Sequence, residues 1–184
     1  MRIIGGRWRG LHLADVGRGD PAAHLRPTSD RVREAIFNLL IHGGYGDPVT
    51  GARVLDLFAG TGALGLEALS RGAAALTLVD DGVAARGLIA RNLALCRAEA
   101  VHLRADATRL GVNTGAGFGL IFLDPPYGRA LGAAALLAAQ AGGWLVPEAL
   151  VVWEESAAVV PPPGFDLLDQ RRYGETCVTI LRAP

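Results

Sequence analysis

A carboxylate, two prolines and an aromatic ring follow directly on the apolar residues 120–123, in the order Asp124, Pro125, Pro126, Tyr127. Two successive prolines end strand pairing and keep the chain extended. The Asp124 carboxylate and the Pro125 carbonyl could then accept both hydrogens of an exocyclic amine, while Tyr127 stacks on the base. We interpret residues 124–127 as a catalytic loop, although an ordinary strand end with a packed tyrosine has the same composition.

A glycine-rich motif lies upstream, where residues 60–65 satisfy G-x-G-x-x-G and Asp80 follows twenty residues after Gly60. A nicotinamide enzyme would also fit these two observations. Asp56 separates the alternatives, because the dinucleotide fingerprint normally has only apolar residues at that point of the first strand. A carboxylate there could bind the cationic methionine end of S-adenosylmethionine, and Gly60 and Gly62 would let the backbone approach the ligand.

Further candidate cofactor residues follow the next two predicted strands. Asp80 would accept both ribose hydroxyls, Asp106 the adenine amine, and Ala107 would offer its amide to the ring. The alternatives are a helix N-cap for Asp106 and solvent-facing turn acids for Asp80 and Asp81. Because acids at successive strand ends meet at one edge of a parallel sheet, we expect one cofactor site. The full predicted set is Asp56, Phe58, Gly60, Gly62, Asp80, Asp81, Asp106 and Ala107.

Alternating strand and helix patterns predict an α/β fold with a Rossmann-like, mostly parallel sheet and helices on both faces. Strands are expected near 53–58, 75–80, 100–104, 118–124 and 149–154, and helices near 63–71, 83–96 and 130–141. A terminal hairpin of residues 165–173 and 176–182 adds an antiparallel edge, making a mixed sheet of seven strands. An earlier helix starts with Thr28, Ser29 or Asp30 as N-cap and ends at Gly43-Gly44, with Arg31 and Arg33 off its apolar stripe.

Charge is unevenly distributed along a chain whose formal net charge is zero. Residues 1–33 contain seven arginines and three aspartates, whereas residues 34–184 contain eleven arginines and fifteen acids. We expect residues 1–27 to form a basic appendage with a small hairpin, contacting a polyanion, and residues 28–184 to form the main domain. A solvated basic tail is the alternative. The exclusive use of arginine is explained more simply by genome composition than by phosphate binding.

Cysteine, histidine and apolar content exclude several other classes. Cys96 and Cys177 are far apart and are expected to be reduced in a cytoplasmic protein, and the four histidines are scattered, so no metal site is predicted. Residues 130–147 lack charge, but their alanine and glycine content favours a buried helix and a turn over a membrane span. A chain of 184 residues can bury a core alone, and we expect a monomer.

The two motifs together resemble those of amino-methyltransferases, which carry (D/N)-P-P-(Y/F) after a glycine-rich cofactor motif. Residues 2–10 (RIIGGRWRG) and 25–38 (LRPTSDRVREAIFN) closely resemble the RsmD family of bacterial 16S rRNA guanine-N2 methyltransferases, and the likeness extends over nearly the whole chain. The resemblance implies a Rossmann-like enzyme that uses S-adenosylmethionine to modify a guanine amine in the small ribosomal subunit or its assembly intermediate. One departure is Gly82, two positions after the ribose-binding acid, where relatives often have an acid or Asn, and we therefore rank Asp80 above Asp81 as the ribose ligand. A second departure is a longer loop at residues 15–24.

The resemblance also implies how the residues would act. Asp124 and Pro125 would pyramidalise a weakly nucleophilic amine toward an activated methyl group, without a metal. RNA would be held by a predicted set of residues: Arg7, Trp8, Arg9, Arg26, Thr28, Arg31 and Arg33. Trp8 would either stack on a base or pack under the hairpin. The alternatives are an adenine-N6 or cytosine-N4 methyltransferase and, from another class, a non-catalytic RNA-binding module.

Overall fold

A computed structural model of the protein describes residues 1–15 and 29–184. Seven strands form one sheet in the order β3-β2-β1-β4-β5-β7-β6. The first five pair in parallel and β7 is antiparallel to both β5 and β6, which confirms the predicted mixed sheet. The strands are β1 Arg53–Leu57, β2 Ala75–Val79, β3 Val101–Leu103, β4 Phe118–Leu123, β5 Leu145–Glu155, β6 Asp166–Tyr173 and β7 Thr176–Arg182.

Helices cover both faces of the sheet, as alternating strand and helix patterns predicted. Three of them, α1 (Asp30–His42), α2 (Ala63–Ser70) and α3 (Val83–Cys96), pack on one face against strand residues such as Leu120 and Phe122. The fourth, α4 (Leu131–Ala141), packs on the other face against Ile121 and Leu123. This alternation follows from the period of two in a strand, which sends successive side chains to opposite faces.

The ends of α1 agree with the predicted signals. Ser29 is the N-cap, and its hydroxyl accepts a hydrogen bond from the Val32 amide at 3.2 Å. At the other end, the Gly43 amide donates to the Leu39 carbonyl at 2.7 Å. The apolar stripe of α1 thereby faces the sheet, with Ile36, Phe37 and Leu40 fully buried.

Strand β5 begins at Leu145, four residues before the predicted start. Leu145 pairs with Phe118, and the register then shifts before Leu150 pairs with Leu120. Glu148, within this interval, has a φ of 62°, in the left-handed region. The alternation of buried and exposed residues does not reveal the start of this strand, because residues 146–148 are all exposed.

The described part of the N-terminal segment is a short antiparallel turn. Arg2 and His12 form an isolated bridge, the Ile3 amide donates to Leu11 O at 2.9 Å, and a 3₁₀ turn spans Gly6–Trp8. Ile3 and Leu13 are buried in the same cluster as the residues of α1 and α2. Residues 1–15 therefore share the core of the main domain, and the predicted boundary at residues 27 and 28 lies outside the described residues.

The uncharged stretch of residues 130–147 is a helix followed by a turn, as predicted. It contributes α4, then Gly142 and Gly143, with Gly143 at a φ of 70°, and then the start of β5. Ala135, Leu136 and Ala139 of α4 are fully buried against the sheet. Within residues 1–15 and 29–184, no helix has both the length and the apolar content needed to cross a membrane.

Candidate active site

The predicted acids meet at one edge of the sheet, because β1 to β4 run parallel and each reaches this edge at its carboxyl end. Backbone bonds tie the strand ends together. The Asp124 amide lies 3.4 Å from Leu57 O, the Asp80 amide 3.2 Å from Leu103 O, and the Ala59 amide 3.0 Å from Val79 O. The end of β4 is therefore next to the end of β1, so the predicted catalytic loop adjoins the predicted cofactor loop.

The glycine loop connects β1 to α2 through a left-handed backbone. Gly60 and Gly62 have φ values of 55° and 77°, which favour glycine, and Phe58 adopts 61°. Gly65 has a different role, since a Cβ there would lie 2.5 Å from Leu76 Cδ1 and 3.1 Å from Asp56 Oδ2. The third glycine thus permits close packing of α2 on the sheet, and the first two shape the loop that a ligand would approach.

Asp80 fastens the glycine loop to the start of α3. Its Oδ2 accepts a hydrogen bond from the Gly60 amide and its Oδ1 one from the Gly82 amide, both at 2.8 Å. The side chain is thus oriented by backbone donors on either side. Asp81, one residue later, is exposed. The predicted ranking of Asp80 above Asp81 as a ribose ligand stays a prediction, and the fixed geometry of Asp80 supports it.

Asp56 is a buried carboxylate inside β1, only 1% exposed. Its Oδ2 accepts a hydrogen bond from the Gly65 amide at 2.9 Å, in the first turn of α2. Burial raises the pKa of Asp56 to about 7, a shift that the Gly65 bond opposes and the charge of Asp80 reinforces. A carboxyl group in this state would gain from a cationic partner, because a positive charge favours its ionised form.

Asp106 caps the 3₁₀ turn Ala107–Arg109. Its Oδ1 accepts hydrogen bonds from the Thr108 amide at 2.8 Å and the Thr108 hydroxyl at 2.7 Å, and these bonds lower the pKa of Asp106. Asp106 is therefore an N-cap, which was one of its two predicted roles. The adenine contact, which Oδ2 would make, and the ring contact of the Ala107 amide stay predictions.

The loop after β4 is held by side chains from neighbouring strands. The Tyr127 hydroxyl donates to Glu154 Oε1 at 3.0 Å and lies 3.4 Å from Thr176 Oγ1. The Gly128 amide donates to Glu155 Oε1 at 3.0 Å. Burial, together with the charge of Glu154, raises the pKa of Tyr127, so the phenol stays protonated and serves as a donor.

Comparisons with known proteins agree with this geometry. Residues 1–182 match a family model described as "Conserved hypothetical protein 95". The chain is 40% identical to ribosomal RNA small subunit methyltransferase D of Escherichia coli, over 95% of this chain and 86% of that protein. It is 37% identical to a putative rRNA methyltransferase of Bacillus subtilis, over 99% and 98% of the two chains. This chain belongs to the RsmD family.

Solved structures extend the likeness to three dimensions. A putative methyltransferase from Escherichia coli matches with a TM-score of 0.82 and 36% identity, over 100% of this chain and 97% of that one. A putative methylase from Haemophilus influenzae matches with a TM-score of 0.74 and 27% identity, over 98% and 97%. The RsmD-family chain is thus an enzyme of the methyltransferase class with a Rossmann-like fold.

The predicted RNA-binding arginines of this RsmD-family chain differ in exposure. Arg7, Arg9 and Arg31 are exposed, and the Arg7 guanidinium lies 4.1 Å from the Trp8 ring centroid. Arg33 is fully buried and forms ion pairs with Asp30 at 2.9 Å and Glu67 at 3.6 Å. The prediction that Arg33 binds phosphate is wrong, because a side chain without exposure cannot reach RNA. Arg26 and Thr28 lie outside the described residues.

Trp8 packs partly buried against the core cluster beneath α1 and α2. Its amide donates to Ser70 Oγ at 3.0 Å, and Ser70 Oγ donates to Gly5 O at 2.6 Å. The turn is so close to α2 that a Cβ on Gly6 would lie 1.8 Å from Ser70 O. Of the two predicted roles for Trp8, packing is therefore present, and stacking on a base stays a prediction.

Two buried polar residues that sequence reasoning missed fasten the N-terminal segment. Glu67 accepts hydrogen bonds from the Ile4 and Gly5 amides, both at 2.8 Å. Asn92 of α3 bonds both backbone groups of Ala14, at 2.7 and 3.0 Å, and also donates to Thr61 O at 2.9 Å. The N-terminal segment is thereby connected to the glycine loop. A polar residue within an apolar helix pattern, as Glu67 is in α2, was the available signal.

Glu154 and Glu155 at the end of β5 were also missed as site residues. They follow the apolar residues 149–153, just as Asp124 follows residues 120–123. The same signal that identified Asp124 was therefore present, and the parallel pairing of β4 with β5 brings both acids to the same edge.

Proposed function

We propose that the chain transfers a methyl group from S-adenosylmethionine to the N2 amine of a guanine in 16S rRNA. The observation that carries the proposal is the contact between the end of β1 and the end of β4, where the Asp124 amide meets Leu57 O. This contact brings the loop that would accept the amine hydrogens next to the loop that would bind the cofactor. The name of the Escherichia coli relative, a ribosomal RNA small subunit methyltransferase, supports the substrate class.

The residues present fit S-adenosylmethionine better than a dinucleotide. A buried carboxyl at Asp56 suits a cationic amino group, and it would repel a pyrophosphate. Asp80 is held where a ribose would lie in this type of fold, Gly60 and Gly62 allow close approach, and the Asp106 region would receive the adenine. When bound, the sulfonium supplies a methyl group that is already activated toward attack, so no metal or covalent intermediate is needed.

The acceptor loop would bind and orient the base. Asp124 and the Pro125 carbonyl would accept the amine hydrogens, drawing the nitrogen out of the ring plane so that its lone pair faces the methyl group. Pro126 keeps the chain extended behind them, and Tyr127 would stack on the extruded base, a contact of roughly 1–3 kcal/mol. Asp124 would strengthen its hydrogen bond as the amine develops positive charge. As the nitrogen–carbon bond forms, the carbon–sulfur bond would break and S-adenosylhomocysteine would leave, and Asp124 would accept the proton that the methylated nitrogen releases.

The N-terminal segment would hold the RNA. Arg7, Arg9 and Arg31 are exposed and could contact phosphates, and Arg26 and Thr28 are further candidates. The small subunit or its assembly intermediate is the substrate that this function implies, which places the reaction in the cytoplasm. We also infer a monomer, because a chain of 184 residues can bury a core without a partner.

The cofactor assignment is tested by calorimetry with S-adenosylhomocysteine and with NADH. We expect S-adenosylhomocysteine to bind and NADH to give no heat of binding. Tight binding of NADH without a response to S-adenosylhomocysteine would reverse the cofactor assignment. An Asp56→Asn variant serves as the matched control, since it keeps the size of the side chain and removes its charge.

The acceptor is tested by incubating the protein with methyl-labelled S-adenosylmethionine and undermethylated small subunits, and then digesting the rRNA to nucleosides. We expect the label in N2-methylguanosine at one position of 16S rRNA. Label in N6-methyladenosine or N4-methylcytidine would favour the rival nucleic-acid methyltransferases. RNA binding without any transfer would favour a non-catalytic binding module. Naked 16S rRNA, tested in parallel, shows whether the assembled subunit is required.

A further inference from the structure

Glu154 is a buried carboxylate beside the acceptor loop, and it is only 4% exposed. It lies at the carboxyl end of β5, which is parallel to β4. The last register pair of these strands joins Leu123 to Trp153, so Asp124 and Glu154 are the next residues along the two strands. A carboxylate is costly to bury, and one held beside a candidate catalytic acid is therefore a functional candidate.

Glu154 binds the side chain that is proposed to stack on the base. The Tyr127 hydroxyl donates to Glu154 Oε1 at 3.0 Å, and Thr176 Oγ1 lies 3.4 Å from the same hydroxyl. A hydrogen bond to a carboxylate is roughly twice as strong as one between neutral groups, so Glu154 fixes the hydroxyl more firmly than Thr176 does. The phenolic O–H bond prefers to lie in the plane of the ring, so fixing its direction toward Glu154 restricts the rotation of the ring as well as its position.

We propose that Glu154 is a positioning residue for methyl transfer, which orients the Tyr127 ring so that the stacked base presents its amine to Asp124. The proposal rests on the proposed function. Glu154 does not touch the reacting atoms and acts through Tyr127. A small displacement of an acceptor base lowers the rate strongly, because transfer requires the attacking nitrogen in line with the methyl group.

The proposal separates two properties of the enzyme. Removing the Glu154 side chain should leave the cofactor site unchanged, since Asp56, Asp80 and Asp106 are held by groups within 56–108. It should lower kcat, because a stacked but misaligned base still binds. The apparent KM for the RNA should change little, since the phosphate contacts are elsewhere.

The experiment is a double-mutant cycle on the full chain, with kcat measured on undermethylated small subunits at saturating S-adenosylmethionine. Tyr127→Phe keeps the ring and removes the hydroxyl, and we expect kcat to fall by about tenfold. Glu154→Ala should lower kcat by a similar factor, and Glu154→Gln, whose carbonyl can still accept from the hydroxyl, should restore much of it. Combined with Tyr127→Phe, neither Glu154 change should lower kcat further.

Glu148→Gln is the matched control, because Glu148 lies on the same strand but is exposed and paired with Arg182. Affinity for S-adenosylhomocysteine, measured by calorimetry, reports whether each variant keeps its fold. Full activity of both Glu154→Ala and Tyr127→Phe would overturn the proposal. So would a Glu154→Ala effect of equal size with and without the Tyr127 hydroxyl. Failure of the proposed function is distinguishable, since the wild type itself would then not label guanine.

Discussion

The two halves of the candidate site are held in different ways. In the cofactor half, Asp56, Asp80 and Asp106 accept hydrogen bonds from backbone amides that are at most 20 residues away along the chain. In the acceptor half, Tyr127 depends on side chains 27 and 49 residues away, on β5 and β7. The cofactor half is therefore built within local strand–loop–helix units, and the acceptor half requires the assembled sheet.

This difference implies that the two halves can be disturbed separately. Local backbone donors orient the cofactor acids before any ligand binds, so changes there should act on cofactor affinity. Tertiary contacts orient the acceptor loop, so changes there should act on the rate of transfer. Each of the following variants compares the two quantities in one protein.

The largest effect is expected for Asp124→Ala. Removing an acceptor whose bond strengthens in the transition state typically lowers kcat by about a hundredfold or more, and we expect affinity for S-adenosylhomocysteine to be unchanged. Asp124→Asn, which keeps one acceptor oxygen, should lose less. Both are measured by methyl transfer to undermethylated small subunits and by calorimetry. Turnover of Asp124→Ala near that of the wild type would remove Asp124 from the chemical step.

Asp80→Ala should weaken cofactor binding by about 10- to 100-fold, since it removes a charged acceptor for the ribose and frees the Gly60 and Gly82 amides. Asp81→Ala is the matched control, because Asp81 is exposed and adjacent. Calorimetry with S-adenosylhomocysteine measures both. Equal losses in the two variants would contradict the ranking of Asp80 above Asp81.

Cofactor affinity should rise with pH because of Asp56. Its pKa is raised to about 7 by burial, so below that pH the group is mostly protonated and must lose its proton to pair with an ammonium. We expect affinity for S-adenosylhomocysteine to increase about tenfold between about pH 6 and pH 8. In Asp56→Asn the rise should be absent. An identical pH profile in both proteins would show that Asp56 does not face the amino group.

The same shift has a consequence for stability. A carboxyl group whose pKa is raised in the folded state favours folding while it is protonated. Its contribution is therefore present below the unfolded pKa, near 4, and is lost as pH rises through about 7. Denaturant titrations of wild type and Asp56→Asn in the absence of ligand should diverge over this interval, with the wild type losing stability relative to the variant as pH increases.

The smallest effect concerns the exposed arginines. Arg7→Ala with Arg9→Ala should lower the slope of log affinity against log salt by about 0.7–0.9 for each phosphate that is no longer neutralised, without changing cofactor affinity. Arg172→Ala is the control, because Arg172 is also an exposed arginine but lies on the edge strand β6. Arg33 is unsuitable for this test, because its removal would take from the buried Glu67 an ion-pair partner and destabilise the fold. An unchanged slope in the double variant would make the basic end a solvated surface.

The sequence predicts the parts of this molecule whose signals are local. The predicted strand at residues 176–182 coincides with β7, and the mixed seven-stranded sheet follows from alternating patterns that need no tertiary information. Arg33 shows the limit of prediction from local signals. Its position off the apolar stripe predicted exposure, but Arg33 is fully buried and forms an ion pair with Glu67, on a different helix. Periodicity cannot predict such a pairing, because it describes each helix separately and does not say which residues of two helices meet.

Glu154 illustrates a second limit. Its local signal resembles that of Asp124, but only the register between β4 and β5 brings it to the Tyr127 loop. The docking of residues 1–15 by Glu67 and Asn92 likewise depends on how α2 and α3 pack. In each case the missing information is the relative placement of two elements.

The separation of the two halves is tested most directly by a single-turnover measurement with Asp80→Ala and Asp124→Ala, using undermethylated small subunits and increasing S-adenosylmethionine. We predict that Asp80→Ala approaches the wild-type rate of methyl transfer once the cofactor saturates it. Asp124→Ala should stay about a hundredfold slower at every cofactor concentration. If Asp124→Ala were restored by excess cofactor, or if Asp80→Ala stayed slow at saturation, the division into a cofactor half and an acceptor half would be wrong.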